Sequence, residues 1–145
     1  MQWPSHFPEQ CPPRAACPAY GAVFRVTKSR QGSPLTRKDF ESYREAQPNR
    51  VWPADYSECS LCALSVMRTV EDARKLRERL AGTIPAHSRR VMRIVRGELC
   101  SDFGLFQHTP DEATGCASHH DWWVPDGLDP SAAFEFCDEG DGSGQ

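Results

Sequence analysis

The chain has 145 residues, 39% hydrophobic and 26% charged, with a formal net charge of −3. That length suits one domain with an ordinary buried core, the mixture is that of a globular protein, and twelve prolines with ten glycines point to turns and short elements rather than a helical bundle. No apolar run approaches the roughly 18 residues of a membrane span, and the opening MQWPSHFPEQC has neither a basic start nor an apolar core, so no signal peptide or membrane association is expected and the chain is assigned to the cytoplasm.

Charge is unevenly distributed. Residues 68–96 hold nine basic and three acidic side chains, whereas residues 97–145 hold eleven acidic and no basic ones. An acidic end of this kind is suited to docking on a basic protein partner.

The chain opens with an irregular Pro/Cys-rich arm, residues 1–19, in which five prolines forbid regular helix or central strand. A single α+β domain is expected over 20–137 and a flexible acidic tail over 138–145. AVFRVTKS, 22–29, reads as a strand with Ala22, Phe24 and Val26 on one face and Val23, Arg25 and Thr27 on the other. A turn at 31–34 leads to a helix over 36–47, opened by Thr36 with Asp39 three residues on and stopped by Pro48. After a loop over 48–58, CALSVMRT, 62–69, reads as a second strand. Thr69 then opens a second helix with Asp72 at the same offset, an apolar stripe of Val70, Ala73, Leu76 and Leu80, and a stop at Gly82. The third strand spans 88–100, with Gly97 marking a bulge or bend. Strands at 103–108, around HDWWVP and within SAAFEFC complete the domain. The order predicts a small, mostly antiparallel sheet with two helices packed on it.

Seven cysteines, an odd number in a chain assigned to a reducing compartment, favour thiols or metal ligands over disulfides. Cys59 and Cys62 form a CxxC, and Cys116 and His119 a CxxH. Together they make a Cys3His set of the kind that holds structural zinc, here tying two distant loops.

The densest stretch is His119-His120-Asp121-Trp122-Trp123. In an extended segment His119, Asp121 and Trp123 share one face, and His120 and Trp122 the other. The segment therefore predicts an aromatic-histidine cleft, with His119, His120, Trp122 and Trp123 as ligand-binding residues and Arg25, mid-strand, available to grip an anion. His120 is also a candidate catalytic group. The arginines at 90, 93 and 96 do not share a face and lack interleaved aromatics, so no nucleic-acid binding is expected.

The order of an arginine on a first strand (FRV), a serine on a later one (LSVM) and a glutamate on a third (RGEL) resembles the Arg–Ser–Glu plan of ADP-ribosyltransferases. The resemblance implies that Arg25 grips dinucleotide phosphates, Ser65 supports a nicotinamide pocket and Glu98 steadies an oxocarbenium-like centre. Arg96 stands where that plan has a Gln or Glu. The sequence thus leaves three readings: a binding or accessory module for a protein partner or ligand, a small nucleotide-dependent transferase, and a zinc-stabilised interaction module.

Overall fold

The computed structural model describes residues 1–28, 32–83 and 92–137. The tail at 138–145, residue 31 of the expected 31–34 turn and the first residues of the expected strand at 88–100 lie outside the described residues. The fold is α+β, with two antiparallel sheets where the sequence predicted one. The first sheet has the order β1 (Cys17–Pro18), β5 (Leu105–His108), β6 (His120–Trp123), β3 (Leu64–Val66). The second has the order β2 (Gly21–Thr27), β4 (Arg93–Leu99), β7 (Phe134–Phe136). Among the described residues no helix is long and apolar enough to cross a membrane.

The sheets face each other across the main core. Leu64, Val66, Phe106 and Trp122 from the first meet Val23, Val95, Leu99 and Phe134 from the second, with Phe40 closing one side. Period-2 alternation decides these faces, since Leu64 opposes Trp122 and Trp122 opposes Phe106 in register. At one corner the sheets join through a two-way backbone bridge, Phe24 N–H to Met67 C=O at 2.7 Å and Met67 N–H to Phe24 C=O at 2.8 Å.

The helix expected at 70–82 is α3 (Val70–Ala81), opened by the Thr69 side chain accepting the Asp72 N–H and closed at Gly82. Val70, Ala73 and Leu76 pack with Phe24, Val26, Met67 and Ile94 on the outer face of the second sheet. The helix expected at 36–47 is broken. A 3-10 turn, Arg37–Phe40, is followed by the single turn α1 (Tyr43–Ala46), opened by a second cap at Ser42 with Glu45 in a capping box. The break has a physical cause in Arg25. Its guanidinium takes the carbonyls of Asp39 and Glu41 at 3.1 and 3.3 Å, and Ser42, 2% exposed, restarts the helix at once. Phe40 and Tyr43, which three-residue spacing would put on one face of an unbroken helix, separate: Phe40 is fully buried and Tyr43 is 51% exposed.

Two further corrections concern the cysteines and Gly97. Between the expected loop over 48–58 and the expected strand at 62–69 lies α2 (Glu58–Leu61), with Cys62 as its C-cap, so the strand itself is shortened to β3, Leu64–Val66. Cys59 is bonded to Cys11, against the expectation of free thiols. The bond ties the arm to the outer face of the first sheet, where Trp3 and Phe7 gather against Cys62, Ala63 and Trp123. Gly97 is no bulge, because the β2–β4 register runs through Val23↔Gly97 without interruption. It is glycine because the Phe134 ring lies across it, 2.7 Å from where a Cβ would stand.

Gly97→Ala is therefore expected to cost about 1–3 kcal/mol through forced repacking of a buried ring, read as a lowered urea midpoint at unchanged slope. Opening the Cys11–Cys59 bond by the double Ser variant is expected to cost up to about 4 kcal/mol, the loop-closure value for a separation of 48 residues. A thermal melt unchanged by the reductant dithiothreitol would contradict it.

Candidate functional site

A cleft of about 930 Å³ opens beside the corner where the sheets join. Its walls are the end of β2 with the residue after it (Arg25 to Lys28), parts of the 33–47 segment, the start of β3, the last turns of α3 and the connection between β5 and β6.

Alternation puts Ser65 there. Leu64 and Val66 turn into the core, so Ser65, between them, points to the opposite face. The register sets Asp121 directly across from Ser65. His119, two residues before Asp121 and on the same side, reaches Ser65: its Nε2 lies 3.0 Å from Ser65 Oγ. The other ring nitrogen, Nδ1, lies 2.8 Å from the Thr109 carbonyl and 2.9 Å from Thr109 Oγ1. A carbonyl only accepts, so in the neutral ring the proton sits on Nδ1 and Nε2 presents its lone pair to the Ser65 hydroxyl. Thr109 also donates its backbone N–H to His119 C=O at 2.9 Å, so one residue grips both the backbone and the ring.

Asp121 is 9% exposed and accepts a hydrogen bond from Ser60 Oγ at 3.2 Å. Burial raises its pKa, while the His119 charge and the Ser60 hydrogen bond oppose that rise. Arg25 lies beneath. Its Nη1 donates to Ser65 C=O at 3.1 Å, so the guanidinium serves three backbone carbonyls, and burial pushes its pKa down to about 10. That network leaves Arg25 committed to the fold rather than free to grip an anion.

The remaining predicted residues fall elsewhere. His120 is on the core side of β6, its Nδ1 2.8 Å from Ser118 C=O and its ring 4.7 Å from Phe106 and 5.0 Å from His108. Burial lowers its pKa. Trp122 and Trp123 are 0% and 1% exposed, and their indole N–H groups donate to the carbonyls of Phe103 at 2.8 Å and Cys59 at 2.9 Å. They are core residues and do not line this cleft. Glu98 opposes Ala22, which puts it on the face of the second sheet opposite Arg25, where it pairs with Arg96 at 3.4 Å. The Arg–Ser–Glu set is therefore not assembled: Arg25 and Ser65 meet, and Glu98 does not join them.

Nor are the four expected zinc ligands brought together. Cys59 is in the disulfide. Cys62 packs against Trp123, and burial pushes its thiol up to about 11. Cys116 is fully buried, with Sγ donating to Asp72 C=O at 3.2 Å. His119 faces Ser65. Among the described residues no group of three or more His, Cys, Asp or Glu side chains is placed to hold a metal ion.

Sequence reasoning missed three features of the site. Thr109 acts largely through its backbone, which no residue type announces. Tyr43 stands half-exposed on the cleft wall, 5.5 Å from Trp52, so the aromatic bordering this cleft is Tyr43 and not Trp122 or Trp123. Asp72, expected to cap α3, instead accepts Ser118 N–H at 2.9 Å and Ser118 Oγ at 2.5 Å, anchoring the residue before His119. Burial would raise the Asp72 pKa, but the Ser118 hydrogen bonds and Lys75 outweigh it and hold the value below the usual range.

A depressed carboxylate contributes stability that is present above its unfolded pKa and lost as pH falls through its folded one. Asp72→Asn is accordingly expected to cost about 2 kcal/mol at neutral pH, with the gap to wild type closing in acid below the normal Asp range. Urea unfolding across that pH range checks it, and a cost independent of pH would contradict it. Compared with known protein families, with curated proteins and with solved structures, the chain matches none of them.

Proposed function

We propose that this chain is a small binding module whose ligand is a planar, anion-bearing organic molecule, a nucleotide being the class that fits the cleft best. The observation that carries the reading is the make-up of the wall, where a half-exposed aromatic, Tyr43, and three cations besides the buried Arg25, namely Lys28, Lys38 and Arg79 (which also donates to Ala113 C=O), border one opening. Lys28 and Lys38 have no ion pair among the described residues. Two of the wall's three carboxylates are engaged locally, Asp39 with Thr36 N–H and Asp111 with Ala113 N–H. Stacking of a base on an aromatic contributes about 1–3 kcal/mol and is tolerant of which base is present.

The other two readings have less behind them. A transferase of the Arg–Ser–Glu kind needs Glu98 on the side of the sheet where it is not. A zinc-stabilised module needs Cys59 released from Cys11. Because disulfides persist where thiols are oxidised, we read the Cys11–Cys59 bond as favouring an oxidising setting over the cytoplasm.

The test is a titration with ADP followed in amide ¹H–¹⁵N spectra. Shifts are expected at residues 25–28, 36–47 and 63–66, and Lys28→Glu with Lys38→Glu is expected to weaken binding about tenfold, or about 1.4 kcal/mol. If millimolar ADP moves none of these amides, the nucleotide reading fails.

A further inference from the structure

We propose that Ser65 is an acyl-accepting nucleophile with His119 as its general base, so that the cleft is a site of carboxylic ester hydrolysis. The cleft reading supplies only the expected shape of the substrate, an ester carrying an anionic, planar portion. The nucleophile is argued from the dyad alone.

Four observations converge on it. The hydroxyl and the imidazole Nε2 are 3.0 Å apart, within reach for proton transfer. The ring is held in the tautomer that accepts from the serine, because Nδ1 is engaged by the Thr109 carbonyl at 2.8 Å. Both side chains border the open cleft. The backbone carrying the nucleophile is anchored, since Arg25 holds Ser65 C=O at 3.1 Å and the Ser65↔Asp121 pairing holds the strand. A nucleophile, a base and a group that orients the base make up the minimum arrangement for serine-based acyl transfer, whatever the fold.

The electron and proton balance closes without a further reactant except water. Ser65 Oγ attacks the ester carbonyl carbon as its proton passes to His119 Nε2. The tetrahedral adduct collapses by breaking the bond to the leaving oxygen, which takes that proton from Nε2 and departs as the alcohol. Water then attacks the acyl-Ser65 carbonyl, giving a proton to Nε2. Collapse of the second adduct releases the carboxylic acid and returns the proton to Ser65 Oγ. The imidazolium formed in each half is met at Nδ1–H by the Thr109 carbonyl.

The decisive experiment treats the whole protein with a fluorophosphonate, which marks activated serines, and with p-nitrophenyl butyrate, followed by intact mass and peptide mapping. One adduct is expected, at Ser65 and absent from Ser65→Ala. His119→Gln is expected to slow labelling about 100-fold or more, whereas Ser101→Ala, outside the cleft lining, leaves Ser65 labelled. Melting curves of both cleft variants confirm that they fold, and Ser65→Cys supplies a second readout, its alkylation by iodoacetamide expected to slow when His119 is replaced. No adduct on folded wild-type protein overturns the proposal, as does a labelling rate indifferent to His119. ADP binding without labelling would remove the nucleophile and keep the binding module. Labelling without ADP binding would keep the nucleophile and remove the nucleotide class.

Discussion

One buried guanidinium joins the parts of this molecule. Arg25 lies on the inner face of the second sheet and donates to carbonyls of Asp39, Glu41 and Ser65, residues 14, 16 and 40 positions away. Taking a guanidinium out of water is costly unless its donors are met, and here a carbonyl meets each of three guanidinium nitrogens. Those carbonyls belong to a broken helix and to an edge strand of the other sheet. The same cation therefore interrupts the helix, fixes the cleft wall it forms and holds the strand bearing Ser65. Replacing it with an apolar residue would leave three carbonyls without that partner.

Around this anchor the two sheets divide the work of burial. Their facing sides hold the aromatic core, with Trp122, Phe134, Phe106 and Phe40 packed together. Each outer side is covered differently, by α3 on the second sheet and by the N-terminal arm on the first. The arm has no regular structure over most of its length, and so few ladder hydrogen bonds to hold it. The Cys11–Cys59 bond and the small cluster around Trp3 and Phe7 serve in their place.

The cleft is where elements distant in sequence meet without packing tightly. Part of its wall is polar because alternation turns Ser65 of β3 away from the core, and His119, just before β6, reaches it there. Ser118 and Thr109 fix the His119 segment from either side, through Asp72 and through the Thr109 backbone. The histidine is thus oriented by groups that are themselves fixed, the condition for a defined tautomer rather than a mobile side chain.

Local pattern was enough for α3, for the strand faces of β2 and β6 and for the α+β class, because capping, 3.6-residue and two-residue periodicities act over a few residues. It was enough to separate His119 from His120 and Trp122 from Trp123 by face. It could not show that both tryptophans face protein, because each side of the first sheet is covered by chain far away in sequence. The break in the 36–47 helix came from a donor on β2, and the Cys11–Cys59 pairing from a chain reversal that no spacing encodes. The pairing of Ser65 with His119 depends on strand register across 54 positions, and the tautomer of His119 depends on a backbone carbonyl. The sequence by itself determined which side chains were offered at each face. Only the tertiary structure decided which faces were covered, because covering a face is an act of non-local burial.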